Sequence, residues 1–221
     1  MRFFINNFIK VKDFRREKVV MLFTLIYILT FSYYSFLRGN IEFVFYSFLL
    51  LLFLNIGIYI HKKVQLPEFI VIGLSLFGLL HILGGNIDIK EIRLYDMEFF
   101  YGIIRYDNII HIIGSSLVAL VLNVIFFFIV EKNQKIILPL YYFALFLMAL
   151  GTGVLNEIIE LMAVVFFNAQ NQVGDYFNNA VDLVFDSVGA LLAILMIDFY
   201  RRYKKSKRGP NAIIEKIAGS L

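Results

Sequence analysis

The chain has 221 residues, of which 60% are hydrophobic and only 17% charged, with a net charge of +4 and no cysteine. A soluble domain of this length has too little interior to hide that much apolar surface, and without cysteine neither disulfides nor thiolate metal sites can form. The basic residues flank apolar runs instead of forming one patch, which points to a membrane surface and away from nucleic acid.

Residues 1–18 are basic, and the stretch FFINNFIKVKDFRREK fits either an interfacial helix on anionic lipid or an ordinary charged flank. The run 19–36 is too long for the apolar core of a signal peptide and no small-residue cleavage site follows, so it reads as a retained first span. Arg38, Gly39 and Asn40 form a tight turn before a second span at 41–60. Pro67 stands at a helix start, where its missing N–H costs nothing, and opens a third span at 68–84. The longest connection, 85–106, is mixed in charge and leads to a fourth span at 107–130. The fifth run, 137–167, is longer than a bilayer requires. It must tilt, kink near Gly151 and Gly153, or project past the surface. A sixth span at 179–200 precedes a basic tail, 201–221. The expected fold class is all-α: a polytopic membrane protein with six transmembrane helices.

Loop charge sets the orientation. Seventeen of the 21 Lys and Arg fall on the N-terminal side of the membrane in this assignment, and four (Arg38, Lys90, Arg93 and Arg105) on the other. The positive-inside rule then places both termini in the cytoplasm of a multi-pass cell-membrane protein.

Ionisable residues inside the spans include His81, Asp107, His111, Glu157, Glu160, Asp182 and Asp186. With alternating helix direction they share one depth band near the outer side. At about 1.5 Å per residue, His81 and His111 lie roughly 6 Å inside their span ends, Asp186 roughly 10 Å and Glu157 roughly 15 Å. Asp107, His111 and Ser115 recur at i, i+4, i+8, and Asp182 and Asp186 at i, i+4, led by Asn179. Asn156 and Glu160 are also i, i+4. Gly78, His81 and Gly85 line one side of span three, and Gly189, Ala190 and Ala193 would let a neighbour approach span six closely. The side chains of His111, Glu157, Glu160 and Asp182 should therefore converge within about 10 Å, the spacing of packed helices.

Five acids with no Lys or Arg in the spans would cost roughly 10 kcal/mol if unpaired. Arg105 is the only close basic residue, and two histidines cannot balance five carboxylates. Either several acids are protonated, or water floods the site, or a cation sits there. A divalent metal ion suits imidazole plus carboxylate: His111, His81, Asp182 and Asp186 are the candidate ligands. Each also has a plainer reading: a histidine can serve helix packing, His111 can pair with Asp107, and Asp182 can cap its helix.

The motifs RYDNIIH (105–111), NEIIE (156–160) and QVGDYFNNAVDLVFDSVGA (172–190) resemble the ordered motifs of the YjdF-like family of uncharacterised inner-membrane proteins. The matching positions are Tyr106, Asp107 and His111; Glu157 and Glu160; then Gly174, Asp175, Asp182, Gly189 and Ala190. The acid-rich helix pair has a fainter similarity to VanZ-like envelope proteins. The resemblance covers roughly residues 65–200 and implies a fold and a site without naming a reaction. The chain departs from the pattern in having no Trp near the last motif and Asn178 where an acid is common.

The functional expectation is an outward-facing His/carboxylate site, metal-dependent or not, that acts on or binds a lipid-linked envelope substrate. Glu157, Glu160 and Asp107 are its candidate acid–base groups, and Arg105, Tyr106 and Asp175 its substrate contacts, with Arg93 a second candidate to receive anionic charge. A proton-coupled or cation transporter is the alternative, since intramembrane acids are its usual sign. Against it, stretch 117–130 offers one Asn, 136–150 two Tyr hydroxyls and 190–197 nothing polar, so a path out the other side is missing. A structural subunit would leave the acids unexplained. The orientation has a direct check: reporters after Leu221 and near Glu131 should read as cytoplasmic and one within 168–178 as external, and an external tail would overturn it.

Overall fold

A computed structural model describes residues 14–129, 136–169 and 176–218, excluding the side chains of 14, 15, 205 and 207–218. It contains six long helices: α1 Phe14–Leu37, α2 Ile41–Val64, α3 Glu68–Asn86, α4 Tyr106–Ile129, α5 Leu138–Phe167 and α6 Tyr176–Ala218. All six include stretches long and apolar enough to cross a membrane. Only 17–33% of each span's residues are buried within the protein. Lipid is the apolar solvent for the rest, so the fold needs no thick core.

The helix ends follow local chemistry. Asn40 accepts a hydrogen bond from the Phe43 N–H and caps α2, which stops at Gln65 in a left-handed conformation (φ 54°). Pro67 precedes α3, Pro139 lies in the first turn of α5, and left-handed Asn168 ends α5. α5 is one helix of 30 residues, about 45 Å at the ordinary rise and longer than the roughly 30 Å hydrocarbon layer. α6 does not stop near residue 200: it continues as helix to Ala218, through the stretch expected as a tail. The proposed interfacial segment lies outside the described residues as far as residue 13, and 14–18 belong to α1.

The connection between α3 and α4 is folded back on the bundle. It holds two short antiparallel hairpins, β1 Asp88–Ile89 with β2 Ile92–Arg93 and β3 Glu98–Phe99 with β4 Ile104–Arg105, separated by a single 3-10 turn, Leu94–Asp96. Tyr95 from that turn is buried against Phe43, His81 and Tyr106. Gly84 makes the space: a Cβ there would stand 2.5 Å from the Tyr95 ring.

α1, α2 and α3 form one half of the bundle and α4, α5 and α6 the other, joined chiefly through α3 and α4. The most extensive contact is between α4 and α6. Small residues allow it. A Cβ on Gly189 would lie 2.1 Å from Ser115 Oγ and 2.3 Å from the Ile112 carbonyl oxygen, so the backbones touch there. Ser116 Oγ donates to the Gly189 carbonyl at 2.8 Å, and Ala119, Ala149, Ala190 and Ala193 are fully buried below. Gly189→Ala should therefore force the two helices apart and cost about 1–3 kcal/mol, the usual range for overpacking. Gly151→Ala, with nothing within 4 Å of the added methyl, should instead be neutral or stabilise by up to about 1 kcal/mol, because alanine is the better helix former. Thermal unfolding of the two variants in detergent checks the contrast.

Candidate functional site

The site begins at the first turn of α4. The Arg105 N–H donates to Asn108 Oδ1 at 2.9 Å, the returning half of a capping box. That bond fixes the Asn108 amide so that its Nδ2 donates to Asp182 Oδ1 on α6 at 3.1 Å. One turn back along α6, Asn178 Nδ2 donates to the other oxygen, Asp182 Oδ2, at 2.7 Å. Asp182 is fully buried, and two side-chain amides answer its two oxygens.

His111, one turn beyond Asp107, is 7% exposed and stands among three aspartates. Its Nδ1 is 3.2 Å from Asp186 Oδ1. Its Nε2 is 3.7 Å from Asp107 Oδ1 and 3.9 Å from Asp182 Oδ1. Asp186 leans into α5, where a Cβ on Gly153 would come within 2.2 Å of its Oδ2. One turn along α5, Glu157 is buried and neither of its oxygens has a hydrogen-bond partner among the described residues. Glu160 Oε1 accepts from Asn156 Nδ2 at 2.8 Å.

Two overlapping sets of potential ligand atoms result. Asp107, His111 and Asp182 each offer one atom within 4.8 Å of the others, and so do His111, Glu157 and Glu160. Around a divalent ion, donors at about 2.0–2.2 Å stand roughly 3–4 Å apart, so a modest contraction would suit one. The donor set, one imidazole with hard carboxylate oxygens, fits such an ion. An imidazolium could offset only one of five carboxylates, so the others must be protonated, hydrated or matched by a cation.

Six of the side chains named from sequence meet here: Asp107, His111, Glu157, Glu160, Asp182 and Asp186. The others do not. His81 lies in neither set: its Nδ1 pairs with Tyr95 Oη at 2.5 Å, and Phe43, Tyr46 and Phe77 surround its ring. Burial pushes the Tyr95 phenol well above its ordinary pKa, helped by the charges of Asp107 and Glu160, so Tyr95 stays a neutral phenol beside His81. Tyr106 donates its hydroxyl to the Leu80 carbonyl at 2.9 Å. Arg105 stays at the exposed rim, 3.8 Å from Glu98 and 3.3 Å from Asn178 Oδ1. Asp175 lies outside the described residues.

Sequence reasoning missed three groups. Asn108 and Asn178 hold Asp182, and helical spacing could have found both, at i−3 from His111 and i−4 from Asp182. Asn179, expected to lead the α6 stripe, instead leaves its Oδ1 buried with no partner among the described residues. Glu42 is a buried acid on α2, 4.0 Å from Arg93, which also holds Asp96 at 2.9 and 3.0 Å. Burial opposes the Arg93 charge, but these acids hold its pKa above the ordinary value. Near the start of a helix, Glu42 reads as an ordinary first-turn acid.

Removing one amide from Asp182 should be felt. Asn178→Ala should destabilise the protein by about 1–3 kcal/mol, the cost of stranding a buried acceptor. Asn55→Ala, which removes only an exposed bond to the Leu51 carbonyl, should not. Unfolding temperatures of the two variants measure the difference.

No curated protein and no solved structure matches the chain. The profile of the family described as "Predicted membrane protein (DUF2238)" matches residues 18–203, most of the sequence, and the chain belongs to that family.

Proposed function

We propose that this is a cell-membrane protein whose His111-centred site binds a divalent metal ion and acts on or binds a lipid-linked envelope substrate from the outer leaflet. Glu157 carries the reading. A buried carboxyl with two oxygens unanswered among the described residues, facing an imidazole and four other acids, calls for a cationic or proton-donating occupant. His111, Asp182 and Asp186 are the foremost metal ligands, with Asp107 beside them. Glu157 and Glu160 are placed to accept or return a proton. Bound there, the ion would supply positive charge for an anionic lipid head, with Arg105 at the rim. The YjdF-like identity rests on the same residues: Tyr106, Asp107 and His111, the Glu157/Glu160 pair, and Asp182 with Gly189 and Ala190.

A transport path is the second reading, and the layer beneath the site counts against it. Ala119, Leu145, Ala149, Ala190 and Ala193 are fully buried there. Beyond them the polar groups answer one another: Tyr141 Oη donates to Asn123 at 2.6 Å and Tyr142 Oη to Asp198 at 2.8 Å.

Elemental analysis of the purified protein tests the proposal. A stoichiometric divalent ion should be present and should be lost in His111→Ala while the protein still inserts. Chelation should lower the unfolding temperature and re-addition restore it, with about 2.7 kcal/mol of stabilisation at a hundredfold excess over Kd. In metal-free protein, Glu160→Gln should be neutral or stabilising, because it removes a repelling charge while the amide oxygen still accepts from Asn156. Absence of the ion together with indifference to chelator would overturn the metal reading.

A further inference from the structure

The connection between α3 and α4 carries two hairpins with similar turns and opposite chemistry at their tips. β1 and β2 turn through Lys90 and Glu91, left-handed at φ 52° and 67° and both exposed. β3 and β4 turn through Phe100, Tyr101 and Gly102, left-handed at φ 49°, 61° and 81°. Glycine adopts that region freely and Asn or Asp tolerates it, which is why Asn-Gly and Asp-Gly dominate such turns. A bulky side chain there crowds its own backbone. In the second hairpin two aromatics take those positions. Phe100, Tyr101 and Ile103 are also 72%, 106% and 75% exposed. The tip therefore combines backbone strain with bare apolar surface, and no contact among the described residues covers it. Strain held in place at an apolar tip points to a use outside the chain.

We propose that the β3–β4 hairpin is an interfacial anchor, its Phe100–Tyr101–Ile103 tip inserted into the membrane leaflet that borders the carboxylate site. Position favours lipid over a protein partner. β4 ends at Arg105 and α4 begins at Tyr106, so no linker separates the hairpin from a membrane-spanning helix. The tip stands only about 13 Å of extended chain from that helix end. Glu98 and Arg105 pair across the hairpin's base, leaving charge at the base and apolar rings at the tip. Amphipathic rings of this kind gather at membrane interfaces. Tyr176 and Phe177, 89% and 74% exposed at the start of α6, continue an aromatic belt at the same end of the bundle. The base of the anchor is also the rim of the site, since Arg105 holds Asn108 through its N–H and contacts Asn178 through its guanidinium. Insertion would hold that arginine at headgroup depth. The anchor is independent of what occupies the carboxylates.

The chain contains no tryptophan, so one introduced residue is the only indole. Tyr101→Trp and, as a second reporter, Ile103→Trp are compared with Lys90→Trp at the charged tip, each in full-length protein reconstituted in phosphatidylcholine nanodiscs. Trp at 101 and 103 should emit to the blue of Trp at 90. They should also lose most of their emission when the lipid is brominated near the headgroup, while aqueous iodide quenches only Trp at 90. Water-like emission quenched by iodide at 101 and 103 would overturn the anchor. Blue emission quenched by neither agent would also overturn it, in favour of a second copy of the chain covering the tip.

Discussion

The imidazole of His111 can stand among Asp107, Asp182 and Asp186 because α4 and α6 approach more closely than two helices with ordinary side chains would. Gly189 removes the Cβ that would strike the Ile112 carbonyl, and Ser115 and Ser116 turn their hydroxyls onto backbone oxygens along the seam. With the backbones in contact, the aspartates one and two turns nearer the start of α6 reach the level of the first turns of α4. Gly153 repeats the device on α5, admitting Asp186 and setting Glu157 one turn away. The site is thus a consequence of two glycines and a layer of buried alanines. Because an acid unpaired in hydrocarbon costs several kcal/mol, the same contacts that build the site also oblige it to find compensation.

Much of this could be read from the chain, for a definite reason. Spacing at i, i+4 puts two side chains on one helix face whatever the tertiary fold, so the pairing of Asp107 with His111 and of Asp182 with Asp186 needed no structure. Which neighbour a face meets is a different question. Gly78, His81 and Gly85 do share a face, and it does turn into the bundle. It meets α1 and α2, however, where Gly78 admits the Tyr27 hydroxyl and Gly85 the Phe43 ring. Small residues announce a close approach without naming the partner, and His81 faces Tyr95, Phe43 and Tyr46 instead of joining the carboxylates. Asn178 and Asn179 differ by about 100° around the helix, and only Asn178, a full turn before Asp182, reaches it.

The connection between α3 and α4 was hidden for another reason. Its strands are two residues long, and its turns are Lys-Glu and Phe-Tyr-Gly, without the Asn-Gly or Asp-Gly signal that marks a hairpin in sequence. Tyr95, the residue that pins it down, is held by a space at Gly84 on α3, eleven positions away. No local pattern encodes such a fit. The loop's fold is specified by what it packs against.

The two ends of the bundle differ in a way that packing alone does not require. At the end away from the site, polar groups come in matched sets: Asn123 with Tyr141, and Asp198 with Tyr142, Arg201 and Arg202. There the acid is amply answered, with two guanidiniums and a phenol donating to one carboxylate. At the site end, one aspartate would satisfy His111, and three surround it. Two amides answer Asp182, yet Glu157 has no answering donor among the described residues. Asparagine or glutamine would fill the same volumes without a charge, and α4 and α6 already use Asn108 and Asn178 in that role. Five acids nevertheless surround one imidazole, and the burial of Glu157 beside His111 sets that surplus inside the bundle and not at its surface.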